Sequence, residues 1–175
     1  MKKSKISLNK PLQWLGVALG LVVSSTAMAD AIIYNTGNAT TATVALGIND
    51  LGHLNTTTGN ITANAGATGL AANIGGGWYD ATSPGCLCEG WGVAANGASG
   101  YANESRGTAN LTLVSFGSTS STATSVVSLT SMPGLTVTHA YKPSASGDLF
   151  EAVVTITNNT GADVTDTRYR RVMDW

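Results

Sequence analysis

The last third of the chain sorts its side chains by parity. Leu135, Val137, His139 and Tyr141 share one face of an extended run, and Thr136 and Thr138 take the other. Phe150, Ala152, Val154 and Ile156 repeat the pattern against Glu151, Thr155 and Thr157. A period of two with one apolar face predicts half-buried strands of an antiparallel sheet. Runs at 108–116, 122–130, 135–141, 149–157 and 164–175 are separated by "GSTSS", "SMPG", "KPSASGD" and "NNTGAD", all rich in turn-formers. Short loops between successive runs predict a meander of neighbouring strands. In the first run the parity slips between Leu113 and Val114. That slip predicts a bulge or burial on both faces.

The earlier part is less regular. Residues 31–34 and 41–48 read as strands. From 49 to 103 the chain is dominated by Gly, Ala and Asn, punctuated by "GGGWYD" and "GYANES", which predicts short strands on long ordered loops. The expected fold class is therefore all-β: an antiparallel β-sandwich with a meander in its C-terminal half and irregular Gly-rich loops in its N-terminal half. Composition supports strands over helices, being rich in Thr, Ser, Ala, Asn, Gly and Val and poor in Lys, Glu and Leu. Charged residues make up only 11%, but 43% of the chain is apolar, enough for a core.

The first 29 residues change the picture of location. Lys2, Lys3, Lys5 and Lys10 flank the start of an apolar stretch from Trp14 to Val23, and Ala27-Met28-Ala29 has the small-x-small form of a cleavage site. The stretch falls short of the roughly 18–20 residues that span a bilayer. It predicts a signal-peptide helix over 1–29 and an exported domain over 30–175, secreted or at the cell surface, with no integral membrane span after cleavage. Beyond residue 29, Arg106, Lys142, Arg168, Arg170 and Arg171 face all ten acids, a net charge of −5. That balance favours solubility and argues against a polyanion partner, nucleic acid included. The last run stops at Trp175 in mid-pattern. This predicts either a domain truncated at its C-terminal end or an edge strand that self-associates with another chain.

Chemistry concentrates at "GCLCEGWG" (85–92), which holds both cysteines, Cys86 and Cys88. In an exported chain a disulfide is the default for a lone pair, and a turn at Leu87 would bring the two within bridging distance. Reduced, packed thiols are the other reading. Metal binding would require His53 and His139 to converge on the pair, and redox motifs use two intervening residues. No metal and no cofactor are expected. His139, on an apolar face, reads as a buried histidine bonded to a neighbouring strand, with a general base as the alternative. Glu89, close in sequence to Trp78 and Trp91, raises sugar hydrolysis as another alternative. No Gly-x-Ser-x-Gly, His-Glu-x-x-His or phosphate-cradling motif is present. In "DTRYRR" (166–171), alternation puts Arg168 and Arg170 on one face and Tyr169 and Arg171 on the other. With Asp163, Asp166 and Asp174 nearby, it reads as an ion-pair ladder. Asp50 and Asp80 read as isolated loop carboxylates.

Several stretches occur in order: "LGINDLGHLN", "SPGCLCEGWGVA", "SGYANES", "NLTLVSF", "TATSVVSL", "LTVTHAYKPS", "LFEAVVTITNNTG" and "TRYRRVMDW". Together they resemble a β-rich domain of large bacterial secreted and surface proteins, of the type that carries a PEP-CTERM or similar C-terminal anchor. The resemblance implies an N-terminal fragment, with further strands and a sorting tail after "MDW". It implies no catalytic residues. The expected function is a non-enzymatic cell-surface or extracellular-matrix β-domain. The alternatives are a carbohydrate-binding module that stacks sugars on Trp78, Tyr79, Trp91 and Tyr101, with cell-surface polysaccharide as partner, and a hydrolase using His139 or Glu89.

Overall fold

The computed structural model describes residues 30–173. The expected signal-peptide helix, together with Asp174 and Trp175, lies outside the described residues. The described chain is all-β and antiparallel, with no helix among the described residues. β1 (Asp30–Tyr34), β2 (Val44–Asn49), β3 (Leu70–Ile74) and β4 (Gly77–Asp80) form one sheet in chain order. β5 (Gly90–Ala95), β6 (Ala98–Asn103) and β7 (Gly107–Ala109) begin a second. β8 (Leu111–Ser118), β9 (Ala123–Leu129), β10 (Met132–Pro143) and β11 (Phe150–Asn158) form a third sheet, the meander. β12 (Arg168–Val172) then returns to the second sheet.

Turn chemistry sets the tight hairpins. β5 and β6 are joined by Asn96-Gly97, both with positive φ (49° and 79°). Gly75-Gly76 does the same between β3 and β4, at 62° and 89°. Two left-handed residues in a two-residue loop match the twist of the flanking strands. In β8 the ladder shifts between Leu113 and Ser115, leaving Val114 as the extra residue and 56% exposed. The parity slip in the sequence is thus a β-bulge.

Four of the five C-terminal runs form the meander. The fifth does not. The connection after β11 carries the chain away, and β12 pairs with β5 from Arg168↔Ala94 to Val172↔Gly90. The expectation of one continuous meander fails at this strand. Its inward residues, Tyr169 and Arg171, find their partners in the core beneath β5 rather than beside β11.

The packing follows from one long strand. Along the inner face of β10, Leu135 and Val137 join a core cluster with Trp91, Val93 and Ala102 of the second sheet. Further along the same face, Tyr141 joins a different cluster with Ile33, Leu46 and Ile48 of the first sheet. β9 repeats the division, with Val127 and Leu129 in one cluster and Ala123 in the other. The meander is therefore one layer of a sandwich, and the other two sheets lie end to end across it. His139 and Ser125 sit between the two clusters, at the seam, and both are fully buried.

Candidate functional site

The seam collects most of the chemically capable residues. His139 arrives there because β10 runs the length of both clusters and its parity points this side chain inward. Glu89, just before β5, is fully buried. Arg171 enters from β12, with its Nε 2.6 Å from Glu89 Oε1. The Leu54 N–H donates to Glu89 Oε2. Arg171 Nη1 donates to Tyr141 Oη at 2.7 Å, and the Tyr141 hydroxyl donates to the Gly52 carbonyl at 2.6 Å. His139 Nε2 shares a hydrogen bond with Tyr169 Oη at 3.0 Å. The Trp91 indole lies over His139, ring centroids 4.5 Å apart, and its N–H donates to the Leu51 carbonyl. The loop of residues 50–53 thus accepts from the core at Asp50, Leu51 and Gly52.

Electrostatics here are set by burial. Burial pushes the Glu89 carboxyl up, while Arg171 and the Leu54 N–H pull it back. Burial opposes the Arg171 charge, but Tyr141 and Glu89 outweigh it and hold the guanidinium protonated. Glu89 and Arg171 are therefore a buried ion pair whose remaining polar atoms are partly met by Tyr141 and the backbone. His139 is pushed down to about 3, by burial first and by the Arg171 and His53 charges after it. His53 is pushed down to about 4 by burial. Its Nε2 lies 3.6 Å from Glu104 Oε2, but a neutral imidazole makes that contact no ion pair at neutral pH.

Gly52 shows how closely the loop fits. Its φ is +80°, and a methyl group there would sit 2.7 Å from His139 Nδ1. Both the left-handed backbone and the approach to the imidazole require the absence of a side chain. Gly52→Ala is expected to lower the unfolding free energy by about 1–3 kcal/mol, readable as a lower urea midpoint with an unchanged slope.

Cys86 and Cys88 are joined as a disulfide, with Cα atoms 5.0 Å apart. The Leu87 carbonyl between them accepts from the Ser105 N–H, which ties the turn to the loop after β6. No group of three or more His, Cys, Asp or Glu able to hold a metal occurs among the described residues. A bridge that closes so small a loop removes little chain entropy. The double variant Cys86→Ser/Cys88→Ser should lose no more than about 1–2 kcal/mol, measured by thermal unfolding with and without reductant.

The four candidate stacking aromatics separate. Trp91 is 3% exposed and belongs to the core, so it offers no platform. Burial of its large ring between β10 and β12 outweighs any surface role. Trp78 is half-buried, its ring 5.9 Å from Tyr34. Tyr79 and Tyr101 are exposed, but on β4 and β6 of different sheets. The arginine ladder is also redistributed. Arg168 pairs with Asp166 at 2.8 Å at the surface, whereas Arg171 takes Glu89 inside. Asp80 is not an isolated loop acid. It ends β4 buried and accepts from the N–H groups of Gly69, Thr82 and Ser83.

Two kinds of opening adjoin this core. An apolar pocket of about 310 Å³ reaches the seam, lined by Leu46, Leu70, Phe150, Met173, Tyr141 and Arg171, but not by Glu89 or His139. The outer face of the second sheet carries a shallow trough on the far side of β5. Comparison with protein families, curated proteins and solved structures finds no match to this chain.

Proposed function

We propose that this chain is a non-catalytic exported β-domain that works at the cell surface or in the extracellular matrix by display or adhesion. The observation that supports this reading is where the acid–base groups lie. Glu89 and His139 are fully buried and His53 nearly so, and the pocket that reaches the seam is lined by none of the three. A general acid or base must come within hydrogen-bond reach of substrate. These side chains instead join three sheets into one core, and the surface is left as the working part. No helix among the described residues is long and apolar enough to cross a membrane.

The hydrolase alternative makes a clear demand. Ester or glycoside turnover by the purified chain that disappears in Glu89→Gln or His139→Gln, with the fold retained, would replace display by catalysis. Retention of the chain on isolated envelope or matrix material, without turnover, is the result expected. Self-association through the C-terminal edge has less in its favour. Among the described residues β12 has a free edge, but the strand described is five residues long and carries exposed Arg168 and Arg170. Short, charged edges discourage strand addition.

A further inference from the structure

We infer that the trough on the outer face of the second sheet binds a carboxylate-bearing polysaccharide, an assignment that rests on the display reading above and names its ligand class. The trough runs along β5, and its two halves, about 470 and 540 Å³, share Gly92, Tyr101 and Arg170. Cross-strand register builds it in rows. Arg170 and Tyr101 flank Gly92, and Arg168 and Ser99 flank Ala94. Long side chains on β12 and β6 form the walls, and the strand between them supplies a floor with almost no side chain.

Charge selects the ligand. Of the five bases beyond residue 29, Lys142 pairs with Glu151, Arg168 with Asp166 and Arg171 with Glu89. Arg106 and Arg170 have no carboxylate partner among the described residues, and both line this trough. Residues 30–175 carry a net charge of −5, and against it two guanidiniums in one concave site, without a carboxylate partner among the described residues, mark a place for anions. Tyr101, 45% exposed, adds an aromatic surface to the same trough, across Gly92 from Arg170. The acidic remainder of the molecule disfavours polyanions in general, most of all one as dense in charge as a polyphosphate backbone, and the two guanidiniums offset it locally in the trough. Carboxylates carried on a sugar chain, with apolar C–H faces between them, suit separated guanidiniums and an aromatic ring.

Gly92 separates binding from folding. A methyl group there would meet only the Gly100 carbonyl at 3.3 Å and Tyr101 Cβ at 3.6 Å, so a side chain fits with a shift of a few tenths of an ångström. Gly90 differs, since a methyl group there would lie 2.5 Å from the Ala102 carbonyl. Packing therefore accounts for Gly90, whereas the open floor is what Gly92 provides.

The test is binding of the full chain to polygalacturonate, with dextran as the neutral polysaccharide and single-stranded DNA as the phosphate polyanion. Saturable, salt-sensitive binding to polygalacturonate alone is expected. Arg170→Gln and Arg106→Gln should each weaken it by about tenfold. Gly92→Val should abolish it while leaving the melting temperature unchanged or higher, because valine suits a strand. The inference is overturned by absent polygalacturonate binding, by equal or tighter binding of DNA, or by wild-type affinity in Gly92→Val. Envelope retention without polygalacturonate binding overturns the ligand class and leaves the display reading intact. Turnover that requires Glu89 overturns the display reading itself.

Discussion

Arg171→Met is expected to destabilise the fold by about 3–5 kcal/mol, the cost of leaving a buried charge without its partner. Methionine keeps roughly the length of the stem and removes every donor. Glu89 would then keep the Leu54 N–H but lose the guanidinium 2.6 Å from Oε1. Tyr141 would lose the donor to its hydroxyl while still donating to Gly52. Glu89→Met should cost a similar amount, since it strands Arg171 instead. The pair of changes together should cost clearly less than the sum of the two, because two apolar side chains of similar volume need no counter-charge. Urea unfolding of the four proteins measures the coupling. An Arg171→Met midpoint equivalent to a loss below about 1 kcal/mol would mean that solvent already reaches the pair.

That pair also marks where sequence reasoning stops. The meander was legible because alternation is local. Each strand of β8–β11 carries its own apolar face, and short loops force neighbours together. Even the bulge at Val114 appears as a parity slip. The partner of β12 was not legible, because a strand does not state which edge it will meet. A signal existed nonetheless. Alternation places Arg171 between Tyr169 and Met173 on an inward face, and an inward arginine requires a buried acid. Nothing local says that this acid is Glu89, 82 positions earlier.

The second sheet was obscured for a different reason. In β5 the residues facing outward are Gly90, Gly92 and Ala94, so alternation survives only as the inward Trp91, Val93 and Ala95. Small residues erase the contrast that pattern reading needs. The Asn96-Gly97 pair is the signal that this pattern reading passed over, because a two-residue loop of that type specifies a hairpin. The buried position of Trp91 follows from the same inward parity, and so does its failure as a sugar platform. The trough on the opposite face is the complement of that arrangement: the residues that pack are large, and those that face outward leave space.

The second large effect concerns acid. His139 and His53 are buried neutral, pushed down to about 3 and about 4, against about 6.5 in an unfolded chain. A depressed value means that the unfolded state binds the proton first. The stability these groups hold is present above pH 6.5 and is lost as the pH falls towards 3–4. By pH 4 each histidine is expected to account for a loss on the order of 3 kcal/mol, at 1.36 kcal/mol per unit. The groups around His139 reinforce this. Arg171 on β12 and His53 in the 50–53 loop both disfavour its charge, and Tyr141, Tyr169 and Trp91 enclose the ring. The acids with raised values, Glu89, Asp50 and Glu104, have the opposite sign. They take up protons in the folded state first, so they favour folding as the pH drops and cannot produce the acid limb. His139→Gln should therefore be less stable than the parent at pH 7 but lose less on going to pH 4. Urea midpoints at pH 7, 6, 5 and 4 give the comparison. Equal slopes in parent and variant would show that the imidazole reaches water in the folded state. The seam between the sheets would then be a wet channel rather than a sealed joint.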